Sequence, residues 1–261
     1  MMDKQKKTLI VLTAFLACGG ILLTVVSLAT DKWVESNPKL GTHANNSDPH
    51  SEANFGLFKG NRIKEVLSIS KSTIKVVCSA SDGVCVLWPE EGRAVEENTA
   101  DEYITKTLKN MTANEPLWQS GLFNFGYYVT IIICAALSMV FGIISIGFAV
   151  FNICGKPIET ITGPCGLYVW NGFAFLFSIL EMAMFLALFF TNLKENCFLK
   201  GEWEKFSFRE YTNLGFSFYL IPGAAALYFL NVVCMFCSGY KLKCSFSDEA
   251  EKVVDNGMIL Y

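Results

Sequence analysis

The stretch GYYVTIIICAALSMVFGIISIGFAVFNIC, residues 126–154, decides the fold class of this chain, because it contains no charged side chain. About 20 apolar residues are enough for an α-helix to cross the hydrocarbon of a bilayer, at about 1.5 Å per residue. A soluble domain has no reason to keep a segment of this length free of charge. The stretch therefore predicts a transmembrane helix.

Three further stretches share this character, and among all four only the third in chain order contains an ionisable residue, Glu181. The chain of 261 residues is 52% hydrophobic and 17% charged, whereas soluble domains carry about 25% charged residues. We therefore predict a membrane α protein built as a four-helix transmembrane bundle. The predicted spans are 8–29, 126–154, 166–190 and 214–240.

The first span has two interpretations, since its flanks also resemble a signal peptide. Basic residues precede it, and the small residues of 27–29 approximate a cleavage site. Its apolar run of about 22 residues is longer than the roughly 7–15 of a signal peptide. The length favours an uncleaved membrane anchor.

Loop charges and glycosylation sequons together predict the orientation. Lysines precede the first span, follow the fourth and occur in the short connection between the second and third, which places these segments in the cytoplasm. The sequons at Asn45 and Asn110 both lie in the long first loop, which must then face the lumen. We expect a multi-pass plasma-membrane protein delivered by the secretory pathway. Its predicted segments outside the membrane are a cytoplasmic N-terminus (1–7), an extracellular loop domain (30–125), a cytoplasmic turn (155–165), a second extracellular loop (191–213) and a cytoplasmic tail (241–261).

The loop domain is too long for a simple connector, so we expect it to fold. Short β-branched or aromatic runs separated by turn residues predict small antiparallel strands, and Ser81-Asp82-Gly83 is typical of a hairpin turn. Trp33 is expected at the membrane edge. The predicted strand runs are 55–58, 73–78 and 84–88, a mobile stretch is expected at 37–54, and Ile104, Leu108 and Met111 at helical spacing predict an amphipathic helix.

The cysteines divide by compartment. Cys78, Cys85 and Cys197 fall on the predicted oxidising side, and the first two flank the predicted hairpin. A Cys78–Cys85 bridge would stabilise a domain with a small core. Cys197 is then either a free thiol or linked to the other loop or another chain. Cysteines predicted near the cytoplasmic face are either palmitoylation sites or simply small apolar residues: Cys154, Cys165, Cys237 and Cys244.

Composition and charge exclude several classes of function. The only histidines are His43 and His50, both in a polar stretch. The chain therefore has few side chains that could bind a metal or act as a general base. The net charge is −3 and no basic run exceeds three residues, so no nucleic-acid surface is expected. No group of nucleophile, base and orienting residue can be assembled, so we predict neither an enzyme nor a cofactor.

Several motifs carry a resemblance to a known family. Trp33 followed by Gly56-Leu57-Phe58, in a loop between the first two spans, resembles the claudin superfamily. Longer motifs resemble the clarin family more narrowly, and two runs, 6–9 and 168–172, look most like its third vertebrate branch. The clarin-like motifs are Phe55 to Gly60, Phe151-Asn152, Gly155-Lys156-Pro157, Gly163-Pro164-Cys165-Gly166 through Gly172, and the terminal Gly257 to Tyr261.

This resemblance implies a claudin-like four-helix membrane glycoprotein without enzymatic activity. The best-known clarins are linked to sensory hair cells and photoreceptors. Claudins carry Trp where this chain has Phe58, and their paired cysteines follow sooner than Cys78, so a claudin-like paracellular seal is not expected.

Glu181 is the most distinctive polar residue of the predicted membrane region. A carboxyl group at mid-helix is costly and suggests a permeation site, a proton site or a contact with a partner's basic residue. The alternative is a structural glutamate that is protonated or hydrogen-bonded within the bundle, for example to Asn171 or Asn231. A single acid does not form a relay, which favours the structural interpretation.

The polar tail ends in Ile259-Leu260-Tyr261, a terminus that could add to a PDZ-type groove. We predict a structural or regulatory scaffold, or an adhesion-related organiser of membrane protein complexes. The expected partners are the lipid bilayer, other membrane proteins at the extracellular loop, a PDZ-type scaffold and a second copy of the chain. The alternative function is an ion channel or channel accessory subunit that uses Glu181.

Overall fold

The computed structural model describes residues 4–40, 51–65, 69–90, 97–112, 114–154, 164–197, 199 and 206–237. Its α-helices within these residues are α1 (Lys4–Ala29), α2 (Glu97–Asn110), α3 (Phe125–Cys154), α4 (Pro164–Leu188) and α5 (Phe216–Cys237). All but α2 are long and apolar enough to cross a membrane, which confirms the predicted four-helix membrane protein.

The membrane spans differ in detail from those expected. They cover Lys7–Ala29, Phe125–Ile153, Gly166–Leu193 and Phe216–Phe236. The third extends beyond α4 because a π-helical turn, Phe189–Leu193, continues it. The fourth begins at Phe216 because the preceding residues Thr212–Leu214 pair as a strand. Helix α5 runs through Pro222, which leaves one main-chain carbonyl of the preceding turn without its usual donor.

A β-rich region lies between α1 and α3, as predicted, and its strands are antiparallel. In space they form a seven-stranded sheet of order β7-β6-β5-β4-β3-β1-β9 and a separate pair β2-β8. The short strand β9 comes from the second loop and pairs with β1, an extension of the sheet that sequence analysis missed. The strands are β1 (Val34–Ser36), β2 (Lys39–Leu40), β3 (Ser51–Phe55), β4 (Lys59–Glu65), β5 (Ile69–Ser79), β6 (Val84–Glu90), β7 (Leu122–Asn124), β8 (Phe206–Ser207) and β9 (Thr212–Leu214).

Local sequence explains the turns of this sheet. Gly83 has a φ of 70°, a conformation that favours glycine, and its N–H donates to the Ser79 carbonyl at 3.0 Å at the β5–β6 turn. The predicted strand at 55–58 is instead mostly the turn between β3 and β4. Gly56 is required there, since a Cβ atom would lie 2.5 Å from the Thr30 carbonyl oxygen.

The two faces of the sheet are covered differently because side chains alternate along each strand. One face, which includes Phe55, Ile74 and Cys85, belongs to the main hydrophobic core. On the other face α2 packs over β5 and β6, with Ile104 and Val86 buried between them. The amphipathic helix predicted from residues 104, 108 and 111 is thus present as α2, although it begins earlier and ends at Asn110.

The described chain divides into two compact units. One contains the described residues that fall within 1–21, 138–176 and 225–261, and the other contains those that fall within 22–137 and 177–224. In the first, small residues permit close contact: a Cβ atom at Gly20 or Gly142 would lie 2.7 or 2.8 Å from Tyr228 atoms. The second unit contains the sheet and its core, which includes Trp33.

Candidate functional site

Trp33 anchors the sheet to the helix ends within the second unit. Its side chain is fully buried, and its indole Nε1 donates to the Ser27 carbonyl at 2.7 Å. The ring packs edge-on against Phe185, at 4.7 Å between centroids, and against Phe218 at 6.3 Å. Trp33 therefore lies in a dry core just beyond the end of the first span, and it fixes where β1 leaves α1.

The motif Gly56-Leu57-Phe58 forms the β3–β4 turn beside this anchor. Leu57 is buried, and its carbonyl accepts a hydrogen bond of 2.9 Å from the Tyr128 hydroxyl. Phe58 points outward and is 47% exposed. The motif therefore combines an inward packing residue with an aromatic residue available to lipid or to another molecule.

One part of the outer sheet face is not covered by α2. Along β3, β4 and β5 the residues on this face alternate with core residues, as the register of the three strands requires. Lys59 lies directly opposite Lys75, and ion pairs hold their ammonium groups near Asp31 and Glu90. We call this surface the open sheet face, defined by the exposed residues Glu52, Lys59, Asn61, Lys71, Thr73 and Lys75.

The open sheet face was not recognised from the sequence. Its signal is the alternation in Lys59-Gly60-Asn61 and in Lys71-Ser72-Thr73-Ile74-Lys75, where polar residues recur at every second position. The same strand β4 contains Arg62, which points to the other face and is only 3% exposed. Its Nε donates to the Ser72 hydroxyl at 3.4 Å.

The structure brings two of the three predicted cysteines together. Cys78 and Cys85 face each other across β5 and β6 and form a disulfide. Cys197 is a free, buried thiol that donates to the Leu193 carbonyl at 2.8 Å. Burial raises the pKa of the Cys197 thiol far above its usual value.

Of the two predicted glycosylation sites, only Asn110 lies within the described residues. It is the last residue of α2, and both Asn110 and the sequon residue Thr112 are exposed. An exposed helix end offers an acceptor amide to a glycosyltransferase without unfolding. Asn45 lies outside the described residues.

Glu181 occupies the middle of the third span and is fully buried. Neither carboxyl oxygen has a hydrogen-bond partner among the residues that the structure describes. The favoured interpretation was a structural glutamate, protonated or hydrogen-bonded, with Asn171 or Asn231 as an example of a partner; among the described residues these two asparagines bond to each other and not to Glu181.

Asn171 and Asn231 instead bond to each other. The Asn231 amide donates to Asn171 Oδ1 at 3.0 Å, and both residues are fully buried. The Asn171 amide donates to the Ser145 hydroxyl at 2.6 Å and to the Leu167 carbonyl at 2.8 Å. This network links α3, α4 and α5 within the first unit, so the two asparagines act as polar contacts between helices.

The remaining predicted site residues are mostly undescribed. Pro164 begins α4, and Gly166 is buried in its first turn. Among the described residues no group of three or more potential metal ligands occurs. Predicted residues that lie outside the described ranges are Pro157, Gly163, Ile259, Leu260 and Tyr261.

Comparisons with known proteins agree with the motif resemblance. A family model described as Clarin-2-like matches residues 120–235. The chain is 27% identical to human Clarin-3 over 189 residues, which cover 71% of this chain and 66% of that protein. It is 25% identical to mouse Clarin-3 over 234 residues, 89% of this chain and 85% of that protein. The aligned part thus spans just under two thirds of the human relative.

Proposed function

We propose that this chain, which the comparisons relate to the clarin family of membrane proteins, organises membrane protein complexes as a scaffold or adhesion-related protein without enzymatic activity. The observation that carries the proposal is the open sheet face. Its residues are exposed on a folded domain that the chain presents beside the membrane. We propose that this face contacts other membrane proteins at the cell surface.

The chemistry of the open sheet face supports a protein contact. Three of its six defining residues are lysines, and its single acid is Glu52. Such a surface complements an acidic partner, which affects the association rate and the specificity more than the affinity. The disulfide between β5 and β6 and the buried Trp33 hold the surface rigidly, which reduces the entropy lost on binding.

The proposal also covers the C-terminal residues, the cellular location and self-association. The C-terminal Ile259-Leu260-Tyr261 would hold a PDZ-type cytoplasmic partner, and the protein would reside at the plasma membrane of sensory or epithelial cells. Self-association would use the same extracellular domain. These features extend the family resemblance.

A single substitution tests the open sheet face. Lys71→Asn completes an N-x-Thr sequon with Thr73, so that a glycan on β5 would cover the face. Surface-restricted proximity labelling of the full chain is then compared with and without this glycan. We expect the dominant labelled membrane proteins to be lost once the glycan is attached. The electrophoretic shift that glycosidase removes measures its attachment and also tests the lumenal orientation.

Two matched variants separate the glycan from the substitution. Lys71→Gln removes the same charge without a sequon, and Lys71→Asn with Thr73→Val destroys the new sequon. Both should retain most of the labelled set. If full glycan occupancy leaves the labelled set unchanged at equal surface levels, the open sheet face is not the contact surface.

The tail is tested separately by removing Leu260 and Tyr261 from the full chain. We expect loss of a subset of cytoplasmic labelled proteins, while the extracellular set remains. An unchanged cytoplasmic set contradicts a PDZ-type role for the tail.

A second candidate function is an ion channel or an accessory subunit of one. It is favoured by the buried carboxyl group of Glu181, which has no hydrogen-bond partner among the described residues. The test is a current on expression in a quiet cell that disappears in Glu181→Gln. Absence of current at verified surface levels contradicts the pore version.

A further inference from the structure

A cleft of about 390 Å³ lies at the boundary between the membrane and the sheet. Two of its lining residues mark the ends of membrane spans: Ala29 ends the first, and Phe216 begins the fourth. The cleft therefore lies at the level where lipid headgroups are found, on the same side of the membrane as the sheet. Under the predicted orientation this is the outer leaflet.

The sheet supplies the polar wall of the cleft. Asn54 of β3 and Asn61 of β4 are direct cross-strand neighbours on the outer side of the sheet, and both line the cleft. Each carboxamide offers both donors and acceptors. Asn61 belongs to the open sheet face, and Asn54 lies beside it on the same side of the sheet.

The opposite wall carries one charge of each sign. Asp31 and Lys32 follow directly after α1 and both line the cleft, so its formal charge is balanced. The Lys32 ammonium lies 6.0 Å from the centre of the Phe216 ring, which is 50% exposed. The aromatic face therefore helps to hold the Lys32 ammonium at the cleft. Asp31 is also 3.8 Å from the Lys59 ammonium, which holds its carboxylate at the cleft edge.

We propose that this cleft binds the headgroup of a zwitterionic phospholipid, with the phosphate at Lys32 and the ammonium at the Asp31 carboxylate. The volume falls in the range of about 300–1,000 Å³ that small-molecule sites occupy. The asparagine amides donate to the phosphate oxygens. The acyl chains extend along the lipid-facing side of α1 and α5, where Val25, Val26 and Tyr219 are exposed.

Balanced charge predicts a preference among lipids. A headgroup with both a phosphate and an amine contacts Lys32 and Asp31 together, whereas an anionic headgroup brings no amine to the Asp31 carboxylate, which then has only the Lys59 ammonium at 3.8 Å. The cleft shares Asn61 with the open sheet face, but Lys71 and Thr73, which test the proposed protein contact, do not line it, so the two proposals are tested by different substitutions.

The test uses the full chain purified in detergent and titrated with phosphatidylethanolamine, phosphatidylcholine and phosphatidylglycerol of identical acyl chains. Native mass spectrometry measures the lipid retained by each protein. We expect the two zwitterionic lipids to be retained at least about threefold more than phosphatidylglycerol, the size of effect that a partly exposed charge contact allows. Lys32→Gln should reduce their retention by a similar factor, and Asp31→Asn should remove the preference over phosphatidylglycerol.

Matched controls lie on the exposed surface of α2. Lys106→Gln and Asp101→Asn make the same changes of charge away from the cleft and should retain lipid as the wild-type chain does. Equal retention of all three lipids by the wild-type chain overturns the proposal, as does equal loss in the α2 variants. Soluble glycerophosphocholine should compete only weakly because it lacks acyl chains. Binding of it as tight as that of the lipid would assign the site to a soluble phosphate-containing amine and overturn the lipid proposal.

Discussion

The indole N–H of Trp33 donates a hydrogen bond of 2.7 Å to the carbonyl oxygen of Ser27, six residues earlier in the chain. Ser27 belongs to the last turn of α1, where the helix ladder ends, and its carbonyl also accepts longer bonds from the Thr30 N–H at 3.4 Å and the Thr30 hydroxyl at 3.1 Å. It also sets the direction in which the chain enters the sheet. The sheet and the helix end are thus joined by one side chain.

This relationship predicts graded effects at Trp33. Trp33→Phe retains an aromatic ring and loses the hydrogen bond, which should lower the free energy of unfolding by about 1 kcal/mol. Trp33→Ala also removes the packing against Phe185 and should cost about 3–5 kcal/mol. Thermal inactivation followed by size-exclusion chromatography measures both. Trp88→Phe, at a half-buried indole beside α2, is the control and should cost less; equal losses at both tryptophans would contradict the anchor role.

Cys197 predicts a pH dependence of stability. Burial raises the pKa of its thiol in the folded state, whereas in the unfolded chain the thiol ionises near pH 8.5. The stability that the buried, protonated Cys197 thiol contributes is therefore fully present below about pH 8.5. Above this value the unfolded state alone loses the proton, and stability falls by up to about 1.4 kcal/mol per pH unit.

Unfolding midpoints measured between pH 7 and 10 without thiol reductant test this dependence. Cys197→Ala should flatten the alkaline decline, while Cys18→Ala, at an exposed free cysteine, should leave it unchanged. An identical decline in both variants would assign it to other groups.

Two glycines of α3 predict opposite responses to alanine. At Gly142 the added Cβ atom would lie 2.8 Å from the Tyr228 hydroxyl oxygen, and at Gly147 nothing lies within 4 Å. Gly142→Ala should destabilise the protein by about 1–3 kcal/mol through overpacking. Gly147→Ala should be neutral or stabilise by up to about 1 kcal/mol, because alanine favours the helix. Denaturation in mixed detergent micelles ranks the variants, and a loss at Gly147 as large as that at Gly142 would refute the packing argument.

The contact between Asn171 and Asn231 predicts energetic coupling. A double-mutant cycle of Asn171→Ala and Asn231→Ala should give a coupling energy of about 0.6–2 kcal/mol, the range found for polar contacts between membrane helices. A matched cycle pairs Asn171→Ala with Thr130→Ala, whose hydroxyl donates to Gly126 within its own helix. This second cycle should be additive. Coupling near zero for the asparagine pair would show that the 3.0 Å bond contributes nothing to stability.

The sequence alone determined the membrane architecture, the β5–β6 hairpin and helix α2. Long apolar stretches, of which only the third contains an acidic residue, predict four membrane spans from residue chemistry and length. The hairpin and α2 rest on short-range patterns, namely the Ser81-Asp82-Gly83 turn and the helical spacing of Ile104 and Leu108. Such features depend on residues close in the chain, which local propensity describes well.

The tertiary structure alone decided which distant residues meet. Strand β9 pairs with β1, although more than half of the chain separates them in sequence. The Asn231 amide donates to Asn171 Oδ1 and not to Glu181. The open sheet face likewise exists only because α2 covers β6 and part of β5 and leaves the outer side of β3, β4 and residues 71–75 of β5 exposed. These contacts depend on how several helices and strands pack into one core and which hydrogen-bond partners they bring together. A local sequence pattern does not contain that information.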